Sequence, residues 1–118
     1  VVYQTLKEHG FPVRYEPRKF VLWNGFRPTV PFYNGLGTGG MAKPDRKKLM
    51  DITYVPDFIF THKGKTVIIE SKGIENDVFP LKRKLFRQYL EVYLPDSLFF
   101  EVRTKRQLLQ AIAIIEGL

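Results

Sequence analysis

The sequence predicts a mixed α/β (α+β) domain, with a central mixed β-sheet flanked by helices. Three observations carry this prediction. Residues 52–60 and 65–72 are rich in β-branched and aromatic side chains and are joined by His62, Lys63 and Gly64, the pattern of a hairpin. Residues 81–93 and 105–116 read as helices, stopped by Pro95 and Gly117. Helical and extended segments also alternate along the chain, as they do where helices pack on a sheet.

Taken in order, residues 1–9 place Val2 and Leu6 on one helical face, with Tyr3 one step round. Gly10 stops that helix, as a glycine just past a helix end should. Residues 11–16 and 19–23 read as short strands split by Pro17. Residues 24–49 hold Gly25, Gly35, Gly37, Gly39 and Gly40 with Pro28, Pro31 and Pro44, a density of breakers that predicts a long loop. Loops of this length are uncommon and are usually functional or mobile. After the hairpin comes the helix of residues 81–93, with Leu81, Leu85, Tyr89 and Val92 as its expected core stripe. Residues 98–103 form a strand, and Thr104 is placed to cap the last helix.

The chain has 118 residues, 44% of them hydrophobic, which is enough for one domain with a packed core. The formal net charge of +7 points to a polyanionic partner, with nucleic acid first, or to a basic but ordinary protein kept soluble by its charge. No apolar run approaches the ~18 residues of a membrane span. The chain has no cysteine, which excludes a disulfide framework, a cysteine zinc site and a thiol nucleophile. That suits the cytoplasm.

The hairpin carries the candidate chemistry. A tight turn at Lys63 and Gly64 would set Phe60 opposite Val67, Ile59 opposite Ile68 and Phe58 opposite Ile69. Asp57 then faces Glu70, and alternation puts Lys72 on the same face. Charged groups inside apolar strands need partners or a metal. Two hard oxygen ligands at this spacing suit Mg²⁺. The plainer alternative is an ion pair of Lys72 with Glu70 or Asp57, and a bulge at Pro56 would shift the pairing by one residue.

Pro56-Asp57 at the end of one strand, followed by Glu70-Ser71-Lys72 on the next with Gly73 behind it, resembles the PD-(D/E)xK nuclease superfamily. The runs at residues 54–58 and 67–73, and the segment at residues 10–16, are similar to those of phage junction-resolving endonucleases of the endonuclease I type. The resemblance implies one restriction-endonuclease-like domain over residues 1–118, with an insertion at about residues 24–50. It implies that Asp57, Glu70 and the Ser71 carbonyl hold Mg²⁺, with Mn²⁺ as a substitute. It gives Lys72 the task of orienting the attacking water and steadying the phosphate. The implied reaction is metal-dependent phosphodiester hydrolysis by a structure-selective DNA endonuclease, a Holliday-junction-resolvase type from a phage or mobile element, acting as a homodimer on branched or duplex DNA. A transposon-end or restriction-type endonuclease, and a non-catalytic nucleic-acid-binding module on the same fold, are the alternatives. Many members of the superfamily add an acidic residue on the first helix. The alignment puts that residue upstream of Val1, Glu8 being too near the helix end and Glu16 lying on the next strand.

The expected nucleic-acid contacts are Lys82, Arg83, Lys84 and Arg87 on the helix after the motif, and Lys43, Arg46, Lys47 and Lys48 at the end of the long loop. Arg103, Lys105 and Arg106 form a third cluster. Like charges four residues apart, such as Arg83 and Arg87, repel on a helix, and a phosphate backbone would offset that repulsion. A solvated helix face is the alternative.

Overall fold

The computed structural model describes residues 2–15, 18–33, 43–72 and 78–118. Its elements are α1 (Val2–Glu8), β1 (Arg14–Tyr15), β2 (Phe20–Trp23), β3 (Ile52–Tyr54), β4 (Phe58–His62), β5 (Lys65–Ser71), α2 (Phe79–Tyr93), β6 (Ser97–Val102) and α3 (Lys105–Glu116). The fold is α+β. A four-stranded mixed sheet runs in the order β1-β4-β5-β6, and β2 and β3 form a separate two-stranded sheet. Among the described residues no helix is long and apolar enough to cross a membrane.

Gly10 ends α1 as its sequence position predicts. Its φ is 81°, which only glycine adopts at little cost. Its N–H reaches the Lys7 carbonyl at 2.9 Å, and the Phe11 N–H reaches the Leu6 carbonyl at 3.2 Å. This pair of bonds is a Schellman motif, completed by burial of Leu6 and Phe11 in one core. The chain therefore leaves α1 at a fixed angle and enters the sheet at β1.

The hairpin has the expected register. Phe58 pairs with Ile69, Ile59 with Ile68, and Phe60 with Val67. Lys63 and Gly64 both take positive φ, 51° and 80°, as a two-residue type I′ turn requires. Alternation along β4 and β5 then feeds two cores. Phe58, Phe60, Val67 and Ile69 pack with Leu6, Phe11, Leu108, Ile112 and Ile115, on the face covered by α1 and α3. Ile68 packs with Phe20, Tyr54, Phe79, Phe86 and Leu90, on the face covered by α2 and the small sheet. β5 thus lies in the middle of the molecule, with Val67, Ile68 and Ile69 all at 0% exposure. Strands buried on both faces read as continuous apolar runs, which is how β5 reads.

Three expectations are corrected. The single strand at residues 52–60 is two strands in different sheets, β3 and β4. Pro56, fully buried between them, has no N–H to carry a ladder onward. The strand expected at residues 11–16 pairs only at Arg14 and Tyr15 among the described residues. The α2 stripe is also different. Phe79, Phe86 and Leu90 are its buried residues, whereas Leu81 and Val92 are 54% and 63% exposed. Several apolar stripes are compatible with that sequence, and the aromatic face offered by Phe20 and Tyr54 selects the one that carries Phe86. The last helix begins as expected, with the Thr104 hydroxyl accepting from the Gln107 N–H at 3.1 Å.

The long loop leaves the small sheet and returns to it. Phe26 and Leu49 form an isolated bridge, and the Asp45 N–H donates to the Phe32 carbonyl at 2.7 Å. Gly25 lies under the returning leg, where a Cβ would stand 2.0 Å from the Leu49 carbonyl oxygen. No side chain fits there, so the arm closes only over glycine. The molecule is elongated, 63 Å by 28 Å by 19 Å.

Candidate functional site

The carboxyl ends of the parallel strands β5 and β6 lie side by side, with Glu70 paired to Glu101 and Ser71 to Val102. The Lys72 N–H extends this pairing to the Val102 carbonyl at 2.9 Å. Pro56 and the bend at Asp57 bring the start of β4 to the same end of the sheet. Ligands in α/β proteins commonly sit beyond the carboxyl ends of strands, and this end gathers the charged residues that the sequence singles out.

Asp57 lies one residue before the paired part of β4 and is held there from across the hairpin. Its Oδ2 accepts the Ser71 N–H at 2.7 Å. Phe58 pairs with Ile69, so Asp57 and Glu70 are neighbours across the hairpin at its open end. Burial pushes the Glu70 carboxyl up to about 7, and the Asp57 carboxylate adds to the rise. The Tyr54 hydroxyl, which donates to Glu70 Oε1, and the charge of Lys72 oppose it. Among the described residues, neither carboxylate lies within 4 Å of a basic nitrogen. The simple ion-pair reading of Lys72 therefore does not describe this arrangement. Instead the Lys72 ammonium sits over the Phe79 ring at the start of α2. A cation over an aromatic face keeps its charge while its stem stays packed.

Two carboxylates sharing a half-buried site with a raised pKa are an arrangement that a divalent cation relieves. Among the described residues no cluster of three or more His, Asp or Glu side chains could hold a metal by itself. A cation here would rest on two carboxylates and a backbone oxygen and keep further positions for water or phosphate. That set fits Mg²⁺ better than a metal needing a complete protein cage.

Two contributors were missed from the sequence. Tyr54 reads as a core aromatic of β3, and nothing in its spacing shows that its hydroxyl meets Glu70 on another sheet. Glu101 reads as an edge-strand residue, yet β5–β6 pairing sets it beside Glu70. Its charge is taken by Arg83 of α2, whose Nε and Nη2 both donate to it.

That ion pair divides the basic residues of α2. Arg83 faces the sheet, on the buried side of the helix with Phe79, Phe86 and Leu90, and is not on the outer face expected for it. Arg83 and Arg87 line a groove of about 460 Å³ between α2 and β6, together with Glu91 and Glu101. Lys84 is exposed and Lys82 half-buried. Lys43, Arg46, Lys47 and Lys48 are all exposed along the returning leg of the arm, where the Arg46 carbonyl accepts from Arg27 at 3.2 Å. Arg103, Lys105 and Arg106, also exposed, follow directly from the end of β6. The N-terminal end of α1 borders the same region, with Val2 and Tyr3 lining a cleft that contains Asp57 and Ser71. Gly73 and Glu16 lie outside the described residues.

No curated protein and no solved structure matches this chain. Residues 4–106 match the family model described as "Protein of unknown function (DUF1064)". That match spans most of the chain, from α1 to the start of α3 and including the whole acidic site, and the chain belongs to the DUF1064 family.

Proposed function

We propose that this protein is a metal-dependent DNA endonuclease of the PD-(D/E)xK type. The observation that carries this reading is the meeting of Asp57 and Glu70 at one end of the sheet, with the Lys72 charge acting on Glu70 and, among the described residues, no basic nitrogen within 4 Å of either acid. In this reading Asp57, Glu70 and the Ser71 carbonyl hold Mg²⁺ or Mn²⁺. A divalent cation bound there supplies Lewis-acid polarisation of a phosphate oxygen. The Asp57 carboxylate is already fixed by the Ser71 N–H, so little reorganisation is needed to present it. Lys72, held over Phe79, places a point charge next to the acids, where it orients water and steadies the non-bridging phosphate oxygens. The exposed lysines and arginines of the arm, of α2 and of the α3 start supply phosphate contacts, which favour shape over sequence.

The substrate in this reading is branched or duplex DNA, as for a Holliday-junction resolvase from a phage or mobile element, and a homodimer supplies the two sites that cutting two strands requires. The cytoplasm of a bacterium or an infected host is the compartment that fits. The test is cleavage of junction, nicked, duplex and single-stranded DNA with Mg²⁺, with Mn²⁺ and with excess chelator. Lys72→Ala and Asp57→Asn are expected to lower the cleavage rate at least a hundredfold while DNA binding persists. Undiminished cleavage in chelator would sink the metal-dependent reading. Salt-sensitive binding with no cleavage under any metal would assign the fold to a binding module instead.

A further inference from the structure

The face of the sheet opposite Tyr54 carries a second feature beside the acidic pair. Tyr3 of α1 and Tyr15 of β1 both pack near Phe58, with ring centroids 6.3 Å and 5.5 Å from it. Phe58 is core, but Tyr3 and Tyr15 are 40% and 61% exposed. Together with Val2, Asp57 and Ser71 they line a cleft of about 700 Å³. We infer that this cleft takes one unstacked nucleobase, from a single-stranded or unpaired nucleotide adjoining the phosphate held at Asp57 and Glu70. The inference rests on the nucleic-acid reading of that acidic site and names the kind of nucleotide it accepts.

Four features fit this occupant. The cleft is within the range of ~300–1,000 Å³ that small-molecule sites occupy, which is ample for a nucleotide. Its walls are flat aromatic rings with polar tips, and every base offers a π-face to such rings without regard to sequence. Asp57 lies in the cleft wall and also meets Glu70, so a base resting on the tyrosines has its own phosphate beside the acids. The rim carries a cation, the Lys7 ammonium, 5.6 Å from the Tyr3 ring centroid. An apolar peptide would gain nothing from the Asp57 carboxylate or from that rim. Bases within a duplex hide their faces in the stack, so only an unpaired or extruded base can enter.

The experiment places 2-aminopurine at single positions in a short single-stranded oligonucleotide and titrates it with the intact chain in chelator, where no cleavage occurs. Fluorescence anisotropy gives affinity, and 2-aminopurine emission reports stacking. Wild type is expected to quench the probe. Tyr3→Ala and Tyr15→Ala are each expected to raise Kd for the single strand roughly tenfold, the size of one base–aromatic stack. Both should abolish quenching and leave duplex affinity within about twofold. Tyr15→Phe, which keeps the ring, should retain quenching. Both tyrosines are exposed, and a circular dichroism spectrum checks that the variants fold. Unchanged single-strand affinity in both alanine variants, or equal losses for single strand and duplex, would overturn the inference. The metal-dependent nuclease reading fails separately, through cleavage that is independent of metal or absent in wild type.

Discussion

The Tyr54 hydroxyl donates to Glu70 Oε1, joining the small sheet to the central strand of the large one at the acidic site. Burial, and after it the Glu70 carboxyl, pushes the hydroxyl's own ionisation well above the usual tyrosine range, so Tyr54 remains a donor at any physiological pH. Tyr54→Phe removes the hydrogen bond that holds the Glu70 pKa down and leaves the carboxyl half-buried without it. The expected outcomes are a further rise in the Glu70 pKa and a loss of stability of about 1 kcal/mol. A several-fold weaker response to Mg²⁺ should follow. Carboxyl ¹³C NMR, urea denaturation and Mg²⁺ titration measure the three.

The raised Glu70 pKa fixes the sign of a pH dependence. The folded protein holds a proton, up to about pH 7, that the unfolded chain releases near 4.5. The associated stability is therefore fully present below 4.5 and is lost as pH rises through 7. The group is only half-buried, and solvent screening brings the expected change to ~1 kcal/mol. Glu70→Gln should flatten this part of the profile, so the difference between wild type and variant isolates it. Mg²⁺ should stabilise wild type more at pH 8 than at pH 5 and should do little for the variant. Thermal melts across pH, with and without Mg²⁺, read both effects. A wild-type profile that coincides with that of Glu70→Gln would refute the assignment.

Arg83 and Lys84 are sequence neighbours with different expected costs. Arg83→Ala leaves Glu101 half-buried beside Glu70 without its partner and should destabilise the fold by about 1–3 kcal/mol. Lys84→Ala, at an exposed position, should stay within about 0.5 kcal/mol. Combined with Lys82→Ala and Arg87→Ala, it should instead weaken DNA binding and shallow its salt dependence by one to three phosphate contacts. Denaturation midpoints and salt-dependent binding isotherms separate the two roles.

Much of the site was legible because β-structure has a short, strict period. A two-residue turn at Lys63 and Gly64 fixes the pairs from His62–Lys65 to Phe58–Ile69, and Asp57 follows just beyond the ladder, held by the Ser71 N–H. Gly10 and Thr104 were equally legible, since a helix stop needs a left-handed residue and a helix start needs a side-chain oxygen. The break at Pro56 was misread because the residues on either side of it are all good strand formers. Only the missing N–H marks the place where the chain changes sheets.

By itself the sequence determined the α+β class, the hairpin register, the caps and the excess of positive charge, because each of these depends on residues close together in the chain. The tertiary structure decided which stripe of α2 is buried, that Arg83 turns inward to Glu101 and that Tyr54 reaches Glu70. It also decided that Tyr3 and Tyr15 share a cleft with Asp57. These contacts join residues from different elements, and a side chain's partner across a core is set by how the layers pack, which no local period encodes.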